Sequence, residues 1–131
     1  MSLYVGQTAQ LSKVFASAEV AAFAELSEDR NPVHLDAGYA AQTPFKRPIV
    51  HGMLLSSLIS ALLGQHLPGD GTIYLGQTLK FVRPVYVGDG VTARVTVSDI
   101  RSDKPIVTLT TEVLNKEGLP CVQGEAVVRY G

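Results

Sequence analysis

The second half of the chain alternates apolar with polar positions, most clearly from Val91 to Val97, and is rich in valine, threonine and isoleucine. A two-residue period of this kind predicts β-strands with one buried face. We expect four such strands and an additional edge strand near the start of the chain: Ile73 to Val82, Val91 to Ser98, Ile106 to Val113, Cys121 to Tyr130, and Gln7 to Phe15. Short turn segments at 88–90, 103–105 and 116–118 leave no room for crossover helices. The pattern therefore predicts an antiparallel sheet that contains a four-strand meander.

Residues 51–64 are apolar almost all round, which predicts a helix surrounded by protein. Its small residues Gly52, Ser56, Ser60 and Gly64 recur at every fourth position and form one row along the helix, where another layer can approach closely. A helix that is apolar on every side needs cover on every side, so we expect the sheet to curve around it. This α+β arrangement, a curved antiparallel sheet wrapped around a central apolar helix, is the hot-dog fold.

The first half also predicts a shorter helix that runs through Leu26, with Ser17 as its N-cap because serine accepts hydrogen bonds from first-turn amides. Residues 35–48 are irregular, with one or two helical turns indicated near Tyr39. No repeat or linker interrupts the chain, and 131 residues with 46% hydrophobic content suffice for one core. We therefore expect a single domain over residues 1–131.

Charge and composition argue against several classes of partner. The net charge is −1 and its eleven basic and twelve acidic residues are scattered, so we expect no nucleic-acid or anionic-lipid surface. We find neither a secretory signal nor an apolar run of about 20 residues, and we expect a cytoplasmic protein without a membrane anchor. Cys121 has no second cysteine or histidine cluster beside it, which predicts a reduced structural thiol and no metal site. His51 and His66 have no carboxylate neighbour in sequence and are interpreted as structural or surface residues. Phosphate contact is open to Arg47, Arg83 and Lys104, but nothing in the sequence distinguishes them from ordinary surface charge.

The segment from Leu26 to Asp36 is the strongest candidate for chemistry, because it places Asp29 and His34 five residues apart around Asn31 and Pro32. Proline fixes its own φ and biases the preceding residue away from helix, so the chain must turn and can aim both side chains at one water. Histidine titrates near neutral pH, and a carboxylate beside it can hold or deprotonate that water. The alternative is an Asx turn with a histidine that only hydrogen-bonds within the loop. Spacing alone leaves both interpretations open.

Gly52 also has two interpretations. Its backbone has to pass close to another segment, or its N–H, at the positive end of the central helix, donates to a polarised carbonyl oxygen. Ser60 lies on the same helix, where a serine hydroxyl more often bonds back to the preceding turn than takes part in a site.

At these residues the chain resembles the (R)-specific enoyl-CoA hydratases of the MaoC-like, hot-dog-fold family, of the type linked to polyhydroxyalkanoate synthesis. The resemblance extends over essentially the whole chain. It is carried by Phe23 to Asp36, Arg47 to Leu54, Ile73 to Gln77 and Gly124 to Val128.

The resemblance implies that Asp29 and His34 are a catalytic dyad, that Gly52 is the oxyanion donor, and that Ser60 and Asn31 contribute to substrate binding. The implied reaction is reversible hydration of trans-2-enoyl-CoA to (R)-3-hydroxyacyl-CoA, which would supply polyhydroxyalkanoate synthesis from fatty-acid oxidation intermediates. The resemblance also implies a homodimer joined edge to edge, an acyl-CoA substrate and no metal or organic cofactor.

Two alternatives remain at this point. A hot-dog acyl-CoA thioesterase commonly uses a carboxylate or amide from the central helix, and 53–63 contains none. A non-catalytic acyl-CoA-binding module would use Asp29 and His34 only to shape the loop. Which member of the dyad is the base and which acyl chain length is preferred both stay open, the former because coupled groups share their titration.

Overall fold

A six-stranded antiparallel sheet and a central helix organise the molecule in the computed structural model, which describes residues 2–131. The strands are β1 (Thr8–Val14), β2 (Ile73–Gln77), β3 (Lys80–Phe81), β4 (Gly90–Ile100), β5 (Ile106–Leu114) and β6 (Pro120–Arg129). The helices are α1 (Ser17–Ser27), α2 (Pro32–Leu35), α3 (Ala37–Ala41) and α4 (Gly52–Gln65). Strand order is β1-β4-β5-β6-β2, with β3 also paired to β6. The predicted α+β class, the antiparallel sheet and the edge strand near the start of the chain are confirmed.

The core lies between α4 and the inner face of the sheet. Alternate residues of β4 and β5 are buried, as the two-residue period predicts, and they pack with the apolar residues of α4 in one cluster. Cys121 of β6 belongs to this cluster, its thiol is free, and burial raises its pKa. The structural role predicted for this cysteine is confirmed.

The predicted strand from Ile73 to Val82 is wrong in two respects. It is split into β2 and β3, and β2 pairs with β6 rather than with the next strand in sequence, so only β4, β5 and β6 form a meander. The backbone at the break lies close to β6. The Thr78 carbonyl oxygen lies 1.8 Å from the point where Gly124 would carry a Cβ, and Thr78 Oγ1 accepts from the Glu125 N–H at 3.0 Å. The Thr78 N–H donates to the Glu125 carbonyl at 2.9 Å, so Thr78 is bonded to β6 between the two strands, and a glycine at position 124 makes this close approach possible.

The N-terminus of α1 also differs from the prediction. Ala16, not Ser17, is the N-cap, and its N–H donates to the Glu19 carboxylate at 3.0 Å. A glutamate three residues after the cap can reach back to satisfy this amide, so no serine side chain is needed there. The helical turn expected near Tyr39 is confirmed as α3.

Helix α4 is confirmed to within one residue at each end, but it is not covered on every side. Met53 is 58% exposed, and Ser57 and Ser60 are exposed as well. This face borders a groove of about 510 Å³, here called the serine groove, lined by Met53, Ser56, Ser57, Ser60, Tyr74, Leu75, Gly76, Gln77 and Leu79. Because serines occupy most of this face, leaving it open forgoes little apolar burial. Among the described residues, no helix is long and apolar enough to cross a bilayer.

Candidate active site

The end of α1 sets the position of Asp29. Glu28 follows the helix with φ 66°, a left-handed conformation that turns the chain sharply. The Asp29 N–H then donates to Ser27 Oγ at 3.2 Å, and Asp29 Oδ1 accepts from the Asn31 N–H at 3.3 Å. This last bond is the Asx turn considered as the structural interpretation. It fixes the carboxylate relative to the backbone without using its second oxygen.

The turn is followed by the short helix α2, which the sequence interpretation missed. Asn31 is its N-cap and accepts from the Val33 N–H at 3.2 Å, while Pro32 takes the first helical position, where a missing N–H costs nothing. His34 therefore lies on a helix rather than in a loop. The Ile49 N–H donates to the Val33 carbonyl at 3.3 Å, which joins α2 to the segment before α4.

The hydrogen bond of His34 determines which of its nitrogens is free. Nδ1 lies 2.7 Å from the Ile49 carbonyl oxygen. A carbonyl oxygen only accepts, so Nδ1 carries the hydrogen, and the neutral ring has its lone pair on Nε2. Neutral His34 thus offers Nε2 as an acceptor.

Asp29, His34 and Gly52 line one cavity of about 390 Å³. A carboxylate oxygen of Asp29 and ring nitrogens of His34 and His51 lie within 4.8 Å of one another. Most of the remaining lining is apolar: Phe45, Ile49, Val50, Met53, Leu55, Phe81, Val82, Pro84 and Val85. The structure thus brings together three residues that come from two separate sequence segments, in a setting that suits an apolar substrate next to acid–base groups.

At Gly52 the structure has features of both interpretations, and the oxyanion role stays a prediction. A Cβ there would lie 2.6 Å from the Phe81 ring, so the ring would have to shift for any residue other than glycine. Gly52 is also the first residue of α4, where backbone N–H groups have no intrahelical acceptor, and the His51 side chain does not cap the helix. Gly52 lines the cavity and lies at the positive end of a 14-residue helix.

Asn31 and Ser60 lie apart from Asp29, His34 and Gly52. Neither lines the cavity around Asp29 and His34. Asn31 caps α2 and its N–H holds the Asp29 carboxylate, while Ser60 lies in the serine groove. Met53 lines both spaces and lies between them.

The sequence interpretation missed two residues of the cavity. His51 is 1% exposed and stacks on His34, with ring centroids 3.8 Å apart and planes 25° apart, so of the two roles expected for it, structural or surface, the structure excludes the surface role. Arg83, taken as ordinary surface charge, is exposed but also lines the cavity, and its Nη1 donates to the Pro120 carbonyl at 2.7 Å. The available signal for His51 was its position immediately before Gly52 at the start of the apolar helix.

The surroundings keep His34 neutral. Its pKa lies below the ordinary value, chiefly because burial disfavours the charged ring and secondarily because of His51. The hydrogen bond to Ile49 and the charge of Asp29 act in the opposite direction and are outweighed. Near neutral pH the site therefore presents an uncharged imidazole with an open Nε2.

Two imidazoles and one carboxylate are a composition that can bind a divalent metal. The stacked geometry fits poorly, because lone pairs in two nearly parallel ring planes run side by side rather than meeting at one ion about 2 Å away. The metal-free site expected from the sequence stays a prediction.

Comparisons with known proteins identify relatives along nearly the whole chain. A family model described as MaoC like domain matches residues 5–118. An (R)-specific enoyl-CoA hydratase from Aeromonas caviae is 65% identical over 128 residues, which cover 98% of this chain and 96% of the relative. An (R)-specific enoyl-CoA hydratase from Rhodospirillum rubrum is 46% identical over 123 residues, covering 94% of this chain and 85% of the relative.

The fold comparison gives the same result. A solved structure described as the (R)-hydratase from A. caviae involved in PHA biosynthesis superposes with a TM-score of 0.98 at 64% identity. The match covers 99% of this chain and 98% of that one.

Proposed function

The chain belongs to the family of MaoC-like domains, and on this premise we propose that it catalyses the reversible, (R)-specific hydration of trans-2-enoyl-CoA to (R)-3-hydroxyacyl-CoA. We treat residues 1–131 as one such domain. The observation that carries the proposal is the meeting of an Asp29 carboxylate oxygen and a His34 ring nitrogen in a largely apolar cavity that also contains the first residue of α4.

Asp29 and His34 suit the task of holding one water. An ionised Asp29 and a neutral His34 both accept hydrogen bonds, and a water molecule has two hydrogens to donate. A water held between them has its oxygen lone pairs free to attack a carbon on the open side. Binding both reactants in this way replaces a bimolecular encounter by an oriented step.

In the hydration direction the water oxygen forms a bond to C3 of the enoyl thioester. The C2–C3 π pair shifts toward C2 and the thioester carbonyl, giving an enolate, while the water loses one proton to the Asp29 and His34 pair. The pair then returns a proton to C2, so the products balance without any redox partner. We propose that the two groups together remove and return this proton, without dividing the roles of base and acid between them.

Gly52 supports the charge that develops in this step. Its N–H has no intrahelical acceptor, and it lies at the helix end where the dipole favours negative charge. Donation to the thioester oxygen stabilises the enolate more than the ground-state carbonyl. Fixed positions of the pair and of Gly52 direct water to one face of C3, which is why we expect a single enantiomer.

Further properties belong to the same proposal. Asp29, His34 and Gly52 complete the step, so we propose that neither a metal nor an organic cofactor takes part.

The product suits a reaction that polymerises hydroxyacyl units, since a relative with this fold is described as involved in PHA biosynthesis. We also propose a cytoplasmic location, where acyl-CoA thioesters form during fatty-acid oxidation.

We propose that the protein is a homodimer. Strand β2 is an edge of the sheet, and apolar side chains on β2, on β3 and just after β3 are exposed: Ile73, Tyr74, Leu75, Phe81 and Val82. An exposed apolar edge is a hazard that proteins cover or pair. Light scattering at micromolar concentration should give twice the 14.0 kDa chain mass, and an active protein of monomer mass would contradict the dimer.

The decisive assay uses purified protein with crotonyl-CoA and no added metal or nucleotide. We expect loss of the conjugated enoyl-thioester absorbance and formation of (R)-3-hydroxybutyryl-CoA, identified by chiral chromatography. Parallel titration of free thiol with a chromogenic disulfide reports any thioester cleavage. Repeating the assay after dialysis against a chelator tests the metal-free step.

Each competing function gives a different result in this assay. Sustained thiol release without loss of the double bond would identify a thioesterase. Stoichiometric binding without turnover would identify a binding module. Racemic or (S) product would contradict the arrangement of the pair and Gly52 given above.

A further inference from the structure

His51 occupies an unusual position for its residue type. It is the N-cap of α4, a position that favours small polar side chains able to accept from the helix amides, yet its side chain makes no capping bond. The side chain is 1% exposed. Its role therefore has to be sought in contacts away from α4.

The first contact is with the backbone of Asp29. His51 Nε2 lies 3.0 Å from the Asp29 carbonyl oxygen, and the two residues are 22 positions apart. A carbonyl oxygen only accepts, so Nε2 carries the hydrogen and donates it. This bond ties the turn that presents the carboxylate to the start of the central helix.

The second contact is with the ring of His34. The two imidazoles stack with centroids 3.8 Å apart, and Phe23 of α1 packs edge-on against His51 at 4.8 Å, which supports its ring. His34 is thus restrained twice from the same segment, in its plane by the Ile49 carbonyl and on its face by His51. Ring rotation would break one restraint or the other.

The second nitrogen of His51 indicates that filling space is not the whole role. Nδ1 is buried and has no hydrogen-bond partner among the described residues. Burying an unpaired polar atom costs free energy that an apolar ring of similar size would avoid. A histidine is nevertheless present at this position, and its other nitrogen, Nε2, makes the bond to Asp29.

We propose that His51 is a positioning residue of the dyad: its Nε2–H holds the Asp29 backbone and its ring face holds the His34 imidazole, which fixes the separation of the two catalytic groups. The inference rests on the proposed function, since it concerns the same dyad. The pKa of His34 supports it, because His51 is one of the causes that hold this pKa low, alongside burial and against Asp29 and the Ile49 carbonyl.

Two substitutions separate the two contacts. His51→Gln keeps an amide N–H near the place of Nε2 but loses the ring, and His51→Phe keeps a ring but loses the donor. His66→Gln is the matched control, because it makes the same exchange at the exposed C-cap of the same helix. Melting temperature and circular dichroism confirm folding of each variant.

We expect kcat to fall about 100-fold in His51→Phe and about 10-fold in His51→Gln, with KM changed less than about 2-fold and His66→Gln unchanged, because misplacing a group by about 1 Å costs on the order of 100-fold. A kcat higher in His51→Gln than in His51→Phe would show that the hydrogen-bond donor to the Asp29 carbonyl contributes to positioning. The His34 pKa, followed by NMR without substrate, should rise in both variants because one of the influences that lower it, that of His51, is removed.

The inference is overturned if either folded variant keeps the kcat of the parent protein and an unchanged His34 pKa. It is equally overturned if both variants lose activity in proportion to a lowered melting temperature while the His34 pKa stays fixed, since that is a packing role. The NMR measurement needs no turnover, so a protein that fails to hydrate crotonyl-CoA still tests the positioning of His34 separately from the proposed function.

Discussion

The meander of β4 to β6 and the segment from α1 to the start of α4 hold their shape in different ways. The meander pairs nearly every residue in two long ladders, each with one register shift, and buries alternate side chains. The segment that carries the site is largely exposed and is fixed by single hydrogen bonds, such as those of Asp29 with Asn31 and with His51. Substitutions in the meander should therefore change stability, whereas substitutions in the segment should change chemistry.

The largest effect expected in the segment is at the dyad. Asp29→Asn and His34→Gln should each lower kcat by about 10²- to 10⁴-fold with little change in melting temperature, because positioned acid–base groups contribute that much. Steady-state kinetics and thermal melts measure the two quantities. Asp70→Asn and His66→Gln are matched exchanges at exposed positions and should be silent.

The double variant sharpens this test. If both groups serve one water, Asp29→Asn with His34→Gln should be little worse than the poorer single variant. Multiplied losses would mean that the two groups act in separate steps.

The next largest effect concerns the N–H of Gly52. Gly52→Pro removes the donor, and His51 already has backbone angles, φ −56° and ψ 135°, that a following proline accepts. Gly52→Ala is the matched control, since its Cβ displaces the Phe81 ring as the proline does but its N–H remains. We expect an additional loss of about 10²- to 10³-fold in kcat for proline relative to alanine. Equal activity of the two folded variants would exclude the oxyanion role.

In the meander a substitution should lower stability and leave kcat unchanged. Leu109 is fully buried on β5, and Leu109→Ala should lower the free energy of unfolding by about 2–5 kcal/mol, while kcat per folded molecule is unchanged. Thr110→Ala, on the exposed face next to it, should stay within about 0.5 kcal/mol. Urea denaturation gives the stabilities. A large kcat loss in folded Leu109→Ala would break the proposed division between the two regions.

The meander is also easier to predict from the sequence than the segment that carries the site. Strands β4 to β6 are predictable because alternation and turn residues are local signals. The break at Thr78 is not predictable in this way, because it depends on Gly124, which lies in a strand far along the chain. Likewise Asp29 and His34 could be named from one segment, whereas the contacts of His51 arise only when α4 meets a turn 22 residues earlier. Helix α2 differs from the prediction although Asn31 and Pro32 have N-cap and first-position chemistry, because the bias of a residue before proline indicates a turn without indicating that a helix follows it.

The pH dependence should show the effect of the segment's environment on a single group. His34 has a lowered pKa because burial disfavours its charged form, so the neutral, active form should persist as pH falls past the ordinary histidine value of about 6.5. The acid limb of kcat/KM is expected below that pH. For the same reason the unfolded chain binds the proton first, and the stability contribution of neutral His34 is lost as pH falls from about 6.5 through the folded-state pKa. An acid limb at or above 6.5 would contradict the neutral ring.

The smallest expected effect is a gain. Glu28 has φ 66°, which disfavours any residue with a Cβ, so Glu28→Gly should raise the free energy of unfolding by less than about 1 kcal/mol. Glu28→Ala keeps the Cβ and should show no such gain. A loss of stability in the glycine variant relative to alanine would mean that the left-handed turn is not strained.

The order of the elements along the chain has a consequence for synthesis on the ribosome. Asp29, His34, His51 and Gly52 all precede Met53, whereas β4, which pairs with β1, and then β5 and β6, which complete the sheet against α4, come last. A nascent chain therefore carries these four residues, and an uncovered apolar helix, before any of these strands exists. Partly covered chains of this kind are prone to aggregation, and translation adds about 5–20 residues per second. At that rate residues 90–129 take seconds to complete, and α4 lacks its cover from β4 to β6 throughout that interval.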